Sequence, residues 1–379
     1  MRGDSASFVA RRAGGVLYPL HMKRAIHQLV AGFSHGDAIS NEALVLRGIF
    51  RAWGFESEIF CEAKRILPEL RDEARDLATH RDAFRPDDVA LLHLSIGSVV
   101  NDLFPELPGR KAILYHNITP PEFFRGVQEQ IAHLLARGLE QAHALHGAAS
   151  VVLADSRFNA KQLTSWGYRG AQVFPLALDL AKLRERPDRA TLKEYDDGLV
   201  NILFVGRCVP NKRLEDALAA FHYFQRYVEP ASRFIHAGSF AGVEQYHALL
   251  LTMMRDLRLQ NVDLIGSVRQ DELNACYRSA DLFLCMSEHE GFCIPLMESL
   301  VHDVPVLAYA AAAVPDTLDG AGVLFREKRF DLVAEMMGRL VRDPKLREAV
   351  LAGQRERLAR FEQRDLSAEL RGHLSPLLG

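Results

Sequence analysis

The chain predicts an α/β protein built as two doubly wound parallel-sheet domains that face each other across a cleft, and three observations carry that prediction. Its 379 residues exceed what one compact core usually carries, so two domains of roughly 150–200 residues each are expected. Short β-rich apolar runs alternate with helical stretches, the signature of α/β layering with mostly parallel strands. That alternation occurs twice, on either side of a stretch where the apolar pattern thins into Lys182, Arg184, Glu185, Arg186, Pro187 and Asp188.

Residues 1–21 read as a loose leader. The apolar run from Gly14 to Leu20 is brief, and His21 and Lys23 interrupt it too soon for a secretory signal. An amino-terminal domain is expected over residues 22–180. Ile26 to Ala31 predicts a strand, Gly32 to Ile39 a polar loop, Asn41 to Trp53 an amphipathic helix and Glu58 to Cys61 a second strand. Residues 62–85 carry Glu62, Lys64, Arg65, Glu69, Arg71, Asp72, Glu73 and Arg75 close together and predict a solvated helical face. Val89 to Leu94, Ala112 to His116 and Ser150 to Ala154 predict further strands, each ending in a polar loop. Residues 181–198 are the expected linker.

The second domain is expected over residues 199–355. Val200 to Val205 is a fully apolar strand entering Gly206-Arg207, and Leu214 to Tyr227 predicts the helix after it. Phe234 to Ala237, Val262 to Ile265, Leu282 to Met286 and Val304 to Ala308 supply more strands. Leu332 to Leu378 reads as helical, with residues 356–379 a tail able to pack back on the first domain. Doubly wound sheets bind ligands in the crevice at the carboxyl ends of their strands, so two facing crevices make a cleft for two substrates.

Composition narrows the function. Hydrophobic residues at 48% and charged residues at 25% exclude a disordered or fibrous chain. A formal charge of −3 gives no global field to draw the protein onto nucleic acid, so a polyanion site must be local. No stretch approaches the roughly 20 apolar residues of a membrane-spanning helix. Cys61, Cys208, Cys276, Cys285 and Cys293 form neither a CxxC pair nor a metal-ligand spacing with histidine, which points to a reducing compartment, the cytoplasm by default.

The densest constellation runs from Ser287 to Glu298, through His289, Glu290, Gly291, Phe292, Cys293, Ile294 and Pro295. Pro295 suits a first helical position, so a helix amino terminus is aimed into the cleft. Gly291 lets backbone come close to a ligand, and the free amides around Phe292, Cys293 and Ile294 form an anion-binding end. Glu298 is expected in the first helical turn, where it accepts two hydroxyl hydrogen bonds from a vicinal diol such as a ribose. Taken singly, Glu298 is an ordinary first-turn carboxylate and Glu290 a loop charge; their joint spacing around Gly291 and Pro295 points to a ligand. A second constellation, Asn201 to Arg213, delivers Arg207 and Lys212 across a Gly/Pro loop, where a planar fork and a point charge can share one polyphosphate.

Phe204-Val-Gly-Arg207 with Lys212, Asn261-Val-Asp-Leu-Ile-Gly266-Ser-Val268 with Glu272, Tyr277 and Asp281, and Glu290-Gly-Phe-Cys-Ile-Pro-Leu-Met-Glu298 with Asp303-Val-Pro-Val306 resemble the carboxy-terminal half of family-4 glycosyltransferases. These are retaining, nucleotide-sugar-dependent enzymes of the GT-B fold, two Rossmann-like domains facing across a cleft. The spacing of Glu290 and Glu298 is similar to that family's hallmark, and the ordered motifs span roughly residues 200 to 325. The resemblance implies Arg207 and Lys212 on the donor diphosphate, Glu298 on the ribose and Glu290 on a hydroxyl of the donor sugar. It implies the amides of Gly291 to Ile294 on sugar and phosphate, and Gly206, Gly266 and Val268 close to the donor, the last two by its nucleobase. In the first half, Tyr115-His116-Asn117-Ile118-Thr119-Pro120 resembles the family's segment whose histidine contacts the donor sugar, which makes His116 catalytic beside Arg207, Lys212 and Glu290. Gly36, Asp37 and Ala38 match the loop facing diphosphate and acceptor. The chain departs from the family in carrying Ala312-Ala313-Val314-Pro315-Asp316 for Gly-Gly followed by Pro-Glu, Pro175-Leu176-Ala177 for Pro-Asn-Gly, and Cys293 for a second glycine. Its first half also resembles a bacterial branch associated with surface polysaccharide assembly.

The implied activity is retaining transfer of a mannosyl or glucosyl unit from a GDP- or UDP-linked donor to a saccharide or lipid-linked acceptor. No cofactor, metal or nucleic acid is expected, and contact with the inner face of a membrane is compatible with the acceptor. A phosphorylase or epimerase on the same fold, or a catalytically silent nucleotide-sugar-binding subunit, is the alternative. A nicotinamide oxidoreductase would need a G-x-G-x-x-G turn that neither Gly32 to Gly36 nor Gly238 to Gly242 supplies.

Overall fold

The computed structural model describes residues 23–379, so the expected leader lies outside the described residues. The amino-terminal sheet comprises β1 (Ile26–Leu29), β2 (Ile59–Cys61), β3 (Ala74–Asp76), β4 (Val89–Leu94), β5 (Arg110–Tyr115), β6 (Val151–Ala154) and β7 (Gln172–Val173), in the order β3-β2-β1-β4-β5-β6-β7. The second sheet comprises β8 (Val200–Val205), β9 (Ser232–Ala237), β10 (Val262–Gly266), β11 (Leu282–Cys285), β12 (Val306–Tyr309) and β13 (Val323–Phe325), in the order β10-β9-β8-β11-β12-β13. Every strand pair is parallel. Helices therefore cover both faces, and the central strands β1, β4 and β11 are buried at every position; β11 reads as a continuous apolar run, while β1 buries His27 and Gln28 and β4 buries His93. The strand order reverses between β1 and β4 in one sheet and between β8 and β11 in the other, and a crevice opens at each reversal.

One expectation needs correction and three gain detail. Residues 62–85 are not a helix: they form short 3₁₀ turns and the edge strand β3, because Pro68 and repeated turn geometry cut the charged run before a second helical turn can close. The linker over 181–198 is ordered. Helices Leu180–Leu183 and Arg189–Glu194 start on the Asp179 and Asp188 carboxylates, and Asn274 Nδ2 donates to Lys182 O (3.0 Å) while Asp188 N donates to Asp271 O (2.9 Å). That stretch therefore rides on the second domain. The helix after β8 is α over Leu214–Tyr223 and ends in a π turn over Phe224–Val228. The terminal stretch is three helices, Phe330–Arg342, Pro344–Glu362 and Leu366–Leu378, broken where Asp343 and Asp365 act as caps.

The last of these helices crosses back to the first domain. Leu370, Leu374 and Leu377 are buried in one cluster with Ile26, Leu91, Leu114 and Leu153. Trp53 Nε1 donates to Ser367 Oγ (2.8 Å), and Arg24 Nη1 donates to Leu378 O (2.8 Å). Among the described residues no helix is long and apolar enough to cross a membrane.

Candidate active site

The second domain brings its site together where β8, β9 and β11 end. Gly206 leaves β8 at φ +143°, and a Cβ on Gly238 would lie 1.8 Å from Gly206 O, so two adjacent strand ends touch through bare backbone. Gly206 N donates to Ala237 O (2.9 Å) and Gly238 N to Gly266 O (2.8 Å), which aligns three glycines across β8, β9 and β10. The turn Pro210–Lys212 then returns Lys212 towards β11, where its Nζ donates to Glu290 Oε1 at 2.6 Å. Both side chains are largely buried, at 15% and 9% exposure. Burial opposes the ammonium, but the Glu290 carboxylate outweighs it and holds Lys212 above the ordinary lysine range. Arg207 is exposed and has no ion-pair partner among the described residues. Val268 is half-buried just beyond Gly266, whose own Cβ position is 3.4 Å from the Phe240 ring.

The helix aimed at this site starts one residue earlier than expected. Cys293 is its N-cap in the left-handed region (φ 71°), so helix Ile294–Val301 carries Pro295 at its second position and Glu298 in its second turn. Glu298 is thus fixed by a neighbour and not by the helix end: Tyr277 OH donates to Glu298 Oε2 at 2.6 Å. Burial raises the Glu298 carboxyl, against the pull of Tyr277 and Lys212. The amides of Gly291, Phe292 and Cys293 have no backbone acceptor among the described residues and point to an anion site. Gly291 has a further reason to be bare. A Cβ there would lie 2.5 Å from His116 O and 2.7 Å from Asn117 Cβ, so the second domain touches the backbone of the first at this residue.

In the first domain, Gly36 (φ +70°) turns the chain after β1, and Asp37 caps helix Ala38–Ala52 by accepting from Ser40 N (2.8 Å) and Ser40 Oγ (2.7 Å). The helix therefore begins three residues before the expected Asn41, and the Asp37 carboxylate is spent on its own cap. His116 follows β5, with its N–H on Leu94 O (2.9 Å). Its ring is turned inwards, not to the cleft: Nδ1 meets Asp155 Oδ2 at 3.0 Å and Nε2 meets His93 Nδ1 at 2.9 Å, with the side chain 3% exposed. Both ring nitrogens are thereby engaged within the protein, and the expected sugar contact would have to displace one of these partners.

Glu42, a buried residue that sequence reasoning passed over, stands beside this pair, with Oε2 3.5 Å from His116 Nε2. Oxygen and nitrogen atoms of Glu42, His93 and His116 all lie within 4.8 Å of one another, close enough to suggest a cation site. The ring geometry argues otherwise. The two imidazoles are parallel within 6° and their centroids are 5.1 Å apart, nearly end-on, so the nitrogens face along one line as in an N–H···N hydrogen bond. An ion off that line would meet neither lone pair on its axis.

Further contacts close the cleft. Asp316 Oδ2 accepts from Phe158 N (2.7 Å) and its Oδ1 from Arg157 Nε (3.0 Å), while Asp319 accepts from Arg157 Nη2 (3.2 Å). Asp316 thus reaches the start of helix Arg157–Ser165 in the other domain.

Residues 189–357 match the family model described as glycosyl transferases group 1. Among curated proteins, the chain is 27% identical over 111 residues to sulfoquinovosyl transferase SQD2 of Arabidopsis thaliana, covering 28% of this chain and 22% of that protein. It is 24% identical over 150 residues to O-antigen chain mannosyltransferase B of Escherichia coli, covering 40% and 39%. The matched stretches thus span less than half the length of either relative. Among solved structures, sucrose-phosphate synthase from Thermosynechococcus elongatus superposes with a TM-score of 0.71 at 17% identity, over 94% of this chain and 99% of that one. Anabaena Alr3699/HepE in complex with UDP-glucose gives 0.71 at 15% identity, over 93% and 100%. The fold is GT-B.

Proposed function

We propose that the protein is a retaining glycosyltransferase that moves a hexosyl unit, mannosyl or glucosyl, from a GDP- or UDP-linked donor to a saccharide or lipid-linked acceptor. The observation that carries this reading is the pairing of Lys212 with Glu290 at the β8/β11 reversal, beside unpaired amides at a helix start and a Tyr277-oriented Glu298. A diphosphate suits the amides, Lys212 and the exposed Arg207; a ribose suits Glu298; a sugar hydroxyl suits Glu290. The family match over residues 189–357, and a similar structure solved with UDP-glucose, support a nucleotide-sugar donor. The likeness to an O-antigen chain mannosyltransferase supports a polysaccharide acceptor, and we place its assembly in the cytoplasm or at the inner face of a membrane.

In the mechanism, the acceptor oxygen bonds to the anomeric carbon on the face from which the glycosyl–phosphate bond breaks. The acceptor proton passes to the departing phosphate oxygen. Lys212, Arg207 and the helix start stabilise the charge developing on that diphosphate as preorganised groups, without a metal ion. The test is release of nucleoside diphosphate from a panel of GDP- and UDP-hexoses, with and without lipid-linked or oligosaccharide acceptors, and with the anomeric configuration of the product determined. Acceptor-dependent release with retained configuration is expected. No donor consumed across the panel would overturn the reading, and phosphate-dependent or acceptor-free conversion would move it to a phosphorylase or an epimerase.

A further inference from the structure

The closed pocket around His116 permits a proton count that begins at Gln28 in β1. Gln28 Nε2 donates to Ala43 O at 2.9 Å, a contact that the amide oxygen cannot make, so the oxygen faces His93 Nε2 at 3.0 Å. His93 Nε2 therefore carries a proton. His93 is fully buried, and burial together with the neighbouring His116 holds its pKa well below the usual histidine range, so the ring is neutral and its Nδ1 is a lone pair. At 2.9 Å that lone pair requires an N–H on His116 Nε2. At the other edge of the ring, His116 Nδ1 lies 3.0 Å from Asp155 Oδ2; burial raises the Asp155 carboxyl while His116 pulls it down, and with that carboxylate ionised the nitrogen donates. Glu42 adds the second carboxylate: Oε1 accepts from Ala177 N (3.0 Å), and Oε2, buried and with no hydrogen-bond partner, lies 3.5 Å from His116 Nε2.

We infer that the chain Gln28–His93–His116–Asp155, with Glu42 at its junction, holds His116 as a doubly protonated imidazolium, and that Gln28 and Glu42 are positioning residues for that charge. The titratable groups facing the ring are Asp155, Glu42, Asp37 and His93. Burial opposes its charge, but Asp155 and then Glu42 outweigh burial and lift His116 to about 9; burial pushes the Glu42 carboxyl up to about 7 against the pull of His116. The chemical consequence rests on the transferase reading. A ring without a lone pair takes no proton from the acceptor, so that proton leaves on the phosphate oxygen as the new C–O bond forms and the glycosyl–phosphate bond breaks.

Selective ¹⁵N-histidine labelling of the full-length protein tests the charge without any assay of activity. Both His116 ring nitrogens should give protonated-type shifts at pH 7, with deprotonation close to pH 9. In Glu42→Gln that midpoint should fall by about one unit or more. Gln28→Met frees His93 to move its proton to Nδ1, and His116 should become neutral with a lone pair on Nε2. With donor and acceptor supplied, the alkaline limb of kcat should move with the Glu42→Gln midpoint while KM for the donor holds. A neutral His116 in the unaltered protein at pH 7, or the same midpoint in Glu42→Gln, overturns the inference. If the transferase reading fails, the nitrogen shifts still decide the charge.

Discussion

At the scale of single residues, the proposed transferase activity gives the Lys212–Glu290 pair a consequence for a donor diphosphate. Glu290 already neutralises Lys212, so an incoming diphosphate shares the ammonium with a carboxylate 2.6 Å away. Once the sugar has left, the terminal phosphate gains charge beside that carboxylate, which favours release of the nucleotide. Glu290→Gln should therefore bind nucleoside diphosphate more tightly in calorimetry while kcat falls. Lys212→Ala should lose about 3 kcal/mol of transition-state stabilisation in kcat/KM. Weaker nucleotide binding by Glu290→Gln, or near-normal turnover by Lys212→Ala, would contradict this assignment. The motif residues Arg207, Lys212, Glu290 and Glu298 were legible because their spacing is local. Glu42 was not, since a glutamate on an amphipathic helix reads as solvent-facing until β1, β4, β5 and β6 converge on it. Tyr277 was legible as part of a motif, but its hydrogen bond to Glu298 spans 21 residues and no local pattern foretells it.

At the scale of elements, the strands of four residues or more announced themselves, the edge strand β10 among them, and the shortest edges did not. β4, β8 and β11 are runs of four to six residues with at most one polar member, whereas β3, β7 and β13 are edge strands of two or three, too short to establish a period. The contact between the ends of β8 and β9 is the element most sensitive to side-chain size. In Gly238→Ala the new Cβ would lie 1.8 Å from Gly206 O, and backbone cannot swing aside as a flexible side chain does. The expected result is a loss of about 1–3 kcal/mol or more in denaturant unfolding, with the Lys212 turn displaced and nucleotide binding weakened. Wild-type stability and affinity in that variant would mean that the two strand ends are free to separate.

At the scale of the whole molecule, the two domains are held closed by modest means. The Arg157 pairs with Asp316 and Asp319 involve an arginine 58% exposed, and exposed pairs of this kind contribute about 0–1 kcal/mol each. The bare contact of Gly291 with His116 limits approach without locking it, and the proposed function requires the cleft to open for a donor and close to exclude water. The terminal helix is held far more firmly. Leu370, Leu374 and Leu377 are at most 2% exposed, and fully burying each contributes about 1.5–3 kcal/mol, a large share of a typical domain's stability. Truncation after Gln363 should therefore split thermal unfolding into two transitions, with the first domain lost early and the second little changed. One cooperative transition at the original temperature would refute that expectation. The two-domain plan was legible from the doubled alternation of strands and helices, but not the way residues 181–198 dock, because short capped helices that bury little more than Leu183 and Tyr195 leave no apolar stripe.

The return of the final helix to the opposite domain also sets an order of assembly on the ribosome. The strands of the second sheet all precede residue 330, whereas the first sheet, though made earliest, lacks one wall until residues 366–378 have emerged. A nascent chain paused before residue 366 would display an uncovered apolar face, and maturation of the first domain is thereby tied to synthesis of helix Leu366–Leu378.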